Sequence, residues 1–190
     1  MSTRGDFLDR VRRTRPEVLA ANYLAADTIA AFPDANSYAN YRQRVSNTIS
    51  DCETVTIAGT GNWRYSLNPK KDFREFHAGS DIDLCVISAY QFSSLWEELR
   101  RAHRDKFYLL PYEDRQRLRR NGENVYSGFI SPEWLPDSAS ATRFSYKKKL
   151  NFLSDASVSY RTVKVLFFKN TIEAIDYYAR GFIIAQRTLS

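Results

Sequence analysis

The stretch that decides the fold is Ala78-Gly79-Ser80-Asp81-Ile82-Asp83-Leu84-Cys85-Val86-Ile87. Two aspartates flank a single isoleucine and lead into an aliphatic run. Side chains alternate between the two faces of a β-strand, so we expect Asp81 and Asp83 on one face and Ile82 buried on the other. Two strand rises separate the aspartates by roughly 7 Å. The stretch therefore predicts a strand that begins with a pair of carboxylates able to share a divalent cation.

The remaining sequence predicts one domain of the α+β (mixed α/β) class, with a small mixed sheet flanked by helices. A helical amino-terminal segment (1–50) should precede a sheet core (54–168) and a carboxy-terminal helix (171–188). A long loop is predicted at 60–78 and a turn at Asn121-Gly122. Strands are predicted at 54–58, 81–87, 125–130 and 158–168. Helices are predicted at 6–13, 17–31, 37–50, 90–104, 111–120, 144–153 and 171–188.

Composition narrows the classes of protein that the chain can represent. No apolar run is long enough to span a membrane, and the amino terminus lacks a signal-peptide segment, so no membrane partner is expected. The two cysteines, Cys52 and Cys85, do not form a disulfide framework. We therefore expect a cytoplasmic protein in a reducing compartment.

The net charge of +6 permits an anionic partner. The basic residues of the chain cluster on and beside predicted helices. These clusters are either solvated helix faces or a surface that binds nucleic acid or polyphosphate. The clusters contain Arg100, Arg101, Arg104, Lys106, Arg115, Arg117, Arg119, Arg120, Lys147, Lys148 and Lys149.

A second chemical signal lies at the end of the first predicted strand, Thr54–Ala58. The strand ends in Gly59-Thr60-Gly61-Asn62, and small residues in such a turn let backbone N–H groups approach phosphate oxygens. The Thr60 hydroxyl adds a further donor. Trp63 and Tyr65 follow the turn and could stack a base, although core packing is the favoured interpretation for both.

The glycine turn and the paired aspartates together resemble the nucleotidyltransferase superfamily with the DNA polymerase β-like palm, in its small bacterial form. Gly59-Thr60 and Ser80-Asp81-Ile82-Asp83-Leu84 carry the resemblance, which covers about 54–88 and reaches Phe168 by order of elements. It implies transfer of a nucleoside monophosphate from a nucleoside triphosphate such as ATP, with Mg²⁺ or Mn²⁺ as cofactor. Asp81 and Asp83 would be the catalytic metal ligands, and Gly59, Thr60 and Ser80 would bind the nucleotide.

The chain departs from that pattern in three ways. Threonine replaces serine in the turn, and the spacer before Asp81 is longer than usual. The spacer's cations form either an arm over the triphosphate or a surface loop; they are Arg64, Lys70, Lys71 and Arg74. The predicted strand 158–168 lacks the third carboxylate that active members place on a later strand. Glu123, Glu133 and Asp155 are the candidates for that role, since each lies near a predicted strand end.

The acceptor stays open among RNA, a protein side chain and a small molecule. The basic segments 100–120 and 143–149 favour RNA, such as a tRNA end, because a cationic antibiotic would call for an acidic site. The resemblance makes a toxin–antitoxin or phage-defence setting plausible. The alternative is a catalytically inactive module of the same fold that binds nucleic acid or a partner protein. In a third interpretation, the helices of 6–50 dock a partner protein within a larger assembly.

Overall fold

The computed structural model describes residues 3–136 and 140–189 and confirms the α+β class. Within these residues, α-helices cover a four-stranded mixed sheet. The helices are α1 Arg4–Arg13, α2 Pro16–Leu24, α3 Ala35–Thr48, α4 Thr60–Trp63, α5 Ala89–Lys106, α6 Tyr112–Tyr126, α7 Ala141–Leu153 and α8 Thr171–Leu189. The strands are β1 Thr54–Ala58, β2 Ile82–Ile87, β3 Phe129–Ile130 and β4 Val163–Phe168. None of the helices in the described ranges has both the length and the apolar character that a membrane span needs.

The sheet has the order β1-β2-β4-β3. β2 is antiparallel to β1 and parallel to β4, so a long crossover through α5, α6 and α7 connects the two central strands. β3 pairs only with Phe167 and Phe168 at the end of β4. In the described part of the chain, no strand therefore pairs with 163–166 on the side of β4 away from β2.

Both faces of the sheet are buried, which explains why β2 is an almost continuous apolar run. Leu84 and Val86 belong to one core cluster, shared with α3, α5 and α7. Cys85 and Ile87 belong to the other, which α1, α2 and α8 complete. Most of the buried apolar residues of α1 and α2 pack within this second cluster, because both helices lie against α8.

Polar side chains complete the free edge of β1. The buried Tyr38 hydroxyl accepts a hydrogen bond from the Ile57 N–H at 2.9 Å. The Asn62 side-chain amide donates to the Ile57 carbonyl oxygen at 2.7 Å. These two bonds satisfy the backbone N–H and carbonyl of Ile57, which an edge strand would otherwise leave open to another chain.

Several predicted boundaries are wrong where tertiary contacts outweigh local preference. α6 continues through Asn121-Gly122 instead of turning there, because the buried Asn121 amide donates to the Trp134 carbonyl at 2.7 Å. That extension leaves only Phe129–Ile130 of the strand predicted at 125–130. The strand predicted from 158 begins at Val163, since Ser159 and Tyr160 adopt left-handed backbone angles.

The predictions for the second helix and for the loop at 60–78 also need correction. α2 ends at Leu24 rather than at 31, and the chain then turns so that Ala31 N–H can bond the Gly61 carbonyl at 2.7 Å. The segment 60–78 is partly ordered into helix α4 and a bridge between Tyr65 and Glu75, rather than forming one long loop.

Candidate functional site

The two aspartates lie at the start of β2, as the alternation of residues predicts. Ile82 is fully buried between them, whereas Asp81 and Asp83 are both partly exposed. The Ile82 N–H donates to the Thr162 carbonyl at 2.9 Å, which fixes this end of β2 against β4. The backbone thus holds both carboxylates at one rim of the sheet.

The glycine turn lies directly against the second aspartate. Ala58, the last residue of β1, is paired with Asp83, and Gly59 follows with φ of +66° and ψ of −157°. A Cβ atom at Gly59 would lie 2.8 Å from the Asp83 Oδ2 atom. Only glycine satisfies both the backbone angles and the close approach to the carboxylate.

A pocket of about 230 Å³ joins the turn to the aspartates. Gly59, Thr60, Ser80, Asp81 and Asp83 all border it, so the structure brings the predicted site residues together. The Ser80 hydroxyl also accepts a hydrogen bond from the His77 N–H at 3.0 Å and so shapes the approach to β2.

The spacer between the turn and β2 contributes two cations to this pocket. Lys71 and Arg74 border it, and the Lys71 charge lowers the pKa of Asp83 against the larger opposing effect of burial. Arg64 does not border the pocket; its guanidinium bonds Glu75, a residue of the lining, at 2.6 Å. Lys70 is exposed outside the lining. Of the four spacer cations, Lys71 and Arg74 thus border the pocket, whereas Arg64 and Lys70 do not.

A lysine of β4 lies beside the two aspartates. Lys164 is paired with Asp83 in the parallel ladder between β2 and β4. Its ammonium group lies 2.5 Å from the Asp81 Oδ2 atom. Sequence reasoning missed this residue, although a single charge within the apolar β4 sequence VKVLFF was the available signal.

The pKa values of Asp83 and Lys164 are both raised, by different main causes. Burial raises the pKa of Asp83, the negative charge of Asp81 raises it further, and the Lys164 ammonium opposes both. The hydrogen bond to Asp81 raises the pKa of Lys164, so this ammonium group stays protonated at neutral pH. The site therefore combines two carboxylates with a permanent positive charge.

The three candidates for a third carboxylate are differently placed. Asp155 caps a 3₁₀ turn and pairs with Arg44 at 2.8 Å, so its carboxylate has a structural partner. Glu123 is exposed on α6. Glu133, in a 3₁₀ turn after β3, is the candidate whose negative charge raises the pKa of Asp83.

The donor set at the rim fits one magnesium ion. Magnesium is commonly held by one or two carboxylates and completes its shell with substrate phosphates and water, and Asp81 and Asp83 supply such a pair. In the described ranges, no group of three or more His, Cys, Asp or Glu side chains forms a fuller metal site. A metal here would depend on the phosphates of its substrate for further ligands.

Trp63 and Tyr65 pack into the core, as the favoured interpretation predicts. Both are buried, with the Trp63 ring against Tyr178 at a centroid distance of 5.7 Å and Tyr65 against Phe7 at 5.1 Å. They support the turn from behind, and Trp63 also borders the pocket.

No family model, curated protein or solved structure matches this chain. The chemistry of this site is therefore inferred from its own residues and their geometry. The pocket joins the glycine turn to the cations Lys71 and Arg74 and to three carboxylates, those of Asp81, Asp83 and Glu75, of which Glu75 is already bonded to Arg64.

Proposed function

We propose that the protein is a magnesium-dependent nucleotidyltransferase, which moves a nucleoside monophosphate from a nucleoside triphosphate to an RNA or protein acceptor. One observation carries the proposal: a single pocket brings the Gly59 turn and the cations Lys71 and Arg74 together with Asp81 and Asp83. Carboxylates suit a magnesium ion, and cations beside a glycine turn suit phosphate groups.

The reaction exchanges one phosphorus–oxygen bond for another. The acceptor's hydroxyl oxygen bonds to the α-phosphorus, the bond from that phosphorus to the β-phosphate oxygen breaks, and pyrophosphate leaves. The hydroxyl proton is released to solvent. Asp81 and Asp83 would hold the magnesium ion, which when bound offsets phosphate charge and polarises the reacting phosphoryl group.

The chain's own residues bind and orient the triphosphate. The absence of a side chain at Gly59 lets the Asp83 carboxylate lie against the turn, and Thr60 borders the same pocket, where its hydroxyl can donate to a phosphate. Lys71 and Arg74 offset the negative charge of the phosphates. Lys164 places a further positive charge on the β4 side of the carboxylates, where it can stabilise negative charge on the transferred group.

A second candidate function rests on the same lysine. Because the Lys164 ammonium already bonds Asp81, a metal must compete with it for that carboxylate. This contact favours a catalytically inactive module with the same fold, which would use its positive surface to bind nucleic acid or a partner protein.

A transfer assay separates the two functions. Purified protein is incubated with each α-³²P-labelled nucleoside triphosphate, Mg²⁺ or Mn²⁺, and either total RNA or lysate protein. The Asp81→Asn/Asp83→Asn variant removes both charges, and Asp105→Asn is the matched control because Asp105 is exposed on α5. We expect label on a macromolecule with the wild type and Asp105→Asn only. Equal labelling by the double variant, or no labelling by the wild type with every triphosphate, would overturn the proposed transferase.

A further inference from the structure

A second cavity, of about 820 Å³, lies between α6, α7 and the edge of β4 that β3 leaves free. Four cationic side chains border it: Arg117, Arg120, Arg143 and Lys147. Glu133 is the acidic residue of this lining. Cationic side chains outnumber the one acidic side chain in this lining, so the cavity wall carries an excess of positive charge.

Two of these four cations already have partners, and the other two form no ion pair within the described ranges. Arg117 lies 3.6 Å from Asp114, and the Arg143 guanidinium donates to the Leu135 carbonyl at 3.0 Å. Arg120 and Lys147 are exposed, on α6 and α7, and neither forms an ion pair with any residue of the described ranges. Their charges are therefore available to a bound anion.

Aromatic and amide side chains accompany the charges. Trp134 and Tyr177 are half-buried at the cavity, and Phe129 supports both, with ring centroids 5.4 Å and 4.3 Å away. Asn124 and Asn151 add amide groups to the lining. Cations with aromatic faces are the combination that binds single-stranded nucleic acid, because phosphates need charge and unpaired bases need a surface for stacking.

The strand β4 lies between the cavity and β2, the strand that carries the carboxylates at its start. Thr162, whose carbonyl accepts the Ile82 N–H, lines it together with Val163 and Leu166. Lys164 lies between these β4 residues, opposite Asp83. The nucleotide pocket lies on the β1 side of Asp83, and the larger cavity on the β4 side.

We propose that this cavity binds a single-stranded nucleic acid and directs its terminal hydroxyl group toward Asp83. The delivery of that hydroxyl rests on the proposed transferase function, whereas the binding does not. Arg120 and Lys147 contact phosphates, and Trp134 and Tyr177 offer stacking surfaces. The excess of positive charge favours this occupant over a peptide that would pair with the free edge of β4.

Binding is measured by the fluorescence anisotropy of labelled single strands of about 12 nucleotides. RNA, DNA of the same sequence and the RNA duplex are compared. Arg120→Glu and Lys147→Glu should each weaken single-strand binding at least about tenfold, since each reverses one charge. The control, Arg12→Glu, makes the same change at an exposed site on α1 and should bind within about twofold of the wild type.

Salt dependence gives a second readout that misfolding would not imitate. Arg120→Gln and Lys147→Gln should each reduce the slope of log K against log salt by about 0.7, as expected for one lost contact to a single strand. An RNA that carries 4-thiouridine at its 3′ end should crosslink within 81–83, 129–134 or 162–166. Crosslinks confined to other segments would overturn the inference.

The outcomes keep the two proposals apart. Binding that Arg120→Glu and Lys147→Glu leave unchanged would overturn the inference, as would a preference for duplex or for peptide. Transfer to a protein or small acceptor that these variants do not affect would also overturn it, while the transferase would stand. Charge-dependent single-strand binding without any transfer by the wild type would support the inference and overturn the transferase. Tighter binding of RNA than of DNA would identify RNA as the ligand.

Discussion

Lys164 is the partner of Asp83 in the parallel ladder between β2 and β4, yet its ammonium group bonds Asp81. One residue is thus linked to both members of the carboxylate pair: its backbone is in register with Asp83, and its ammonium group bonds Asp81. The consequence is a competition: a metal ion that binds Asp81 must displace Lys164 or share the carboxylate with it.

Replacing Lys164 should strengthen metal binding. We expect Lys164→Met to bind Mn²⁺ about two- to fivefold more tightly than the wild type, because a half-exposed ion pair contributes up to about 1 kcal/mol. Electron paramagnetic resonance of free Mn²⁺ measures this affinity. Lys169→Met is the matched control, since Lys169 is exposed just beyond β4. Unchanged or weaker binding by Lys164→Met would show that the lysine does not compete with the metal.

The raised pKa of Asp83 predicts a pH-dependent effect on stability. Burial makes the folded state prefer the protonated carboxyl group, so the ionised form destabilises the protein above the ordinary aspartate pKa of about 3.9. The contribution of Asp83 to wild-type stability should therefore increase as pH falls through the range between that value and the raised pKa.

Asp83→Asn should accordingly be more stable than the wild type at neutral pH without metal. Its advantage should disappear near about pH 3, where the wild-type carboxyl is protonated in both states. Thermal unfolding in EDTA at both values measures the difference. A variant that is less stable at neutral pH would indicate that attraction to Lys164 outweighs burial.

Gly59→Ala should destabilise the protein and disturb the site together. The positive φ angle is expected to lower the free energy of unfolding by about 1–3 kcal/mol, and the new methyl group would push Asp83 away. Gly122→Ala offers the opposite case, because Gly122 lies inside α6 with nothing within 4 Å of an added Cβ atom. Its stability should increase by about 0.5–1 kcal/mol. Urea unfolding compares the two; similar effects would contradict the assigned geometry.

Tyr38→Phe tests the closure of the β1 edge. Loss of the hydroxyl leaves the Ile57 N–H and the Thr56 hydroxyl without this buried partner, which should lower the free energy of unfolding by about 1–3 kcal/mol. Tyr126→Phe removes a hydroxyl from a side chain that is 94% exposed, and its effect should stay within about 0.5 kcal/mol. Chemical denaturation measures both. Equal effects would show that the Tyr38 contacts add nothing to stability.

The central strands could be predicted because their signals are local. The β-branched run at 54–58 ends at a glycine, and its predicted bounds are those of β1. The run at 81–87 differs from β2 by one residue. Alternation also placed Ile82 in the core with the aspartates at the rim, since that depends only on strand geometry.

The features of the fold and of the site that the sequence did not predict depend on contacts between residues far apart in the chain. The position of Lys164 beside the aspartates follows from the register of two parallel strands joined by a long crossover, and no local pattern specifies that register. Asn121-Gly122 has the composition of a turn, but the bond from Asn121 to Trp134 holds it within a helix. The choice of Lys71 and Arg74 over Arg64 likewise depends on the nearby Glu75.

The most direct test of the proposed site is calorimetric titration with a non-hydrolysable nucleoside triphosphate in the presence of Mn²⁺. Each of the four bases is tried, with EDTA in place of the metal as a control. We expect the wild type and Asp105→Asn to bind at least one triphosphate only when Mn²⁺ is present, and Asp81→Asn/Asp83→Asn to lose that binding. Equally tight binding by the double variant, or no binding of any triphosphate by the wild type, would contradict the metal and nucleotide site.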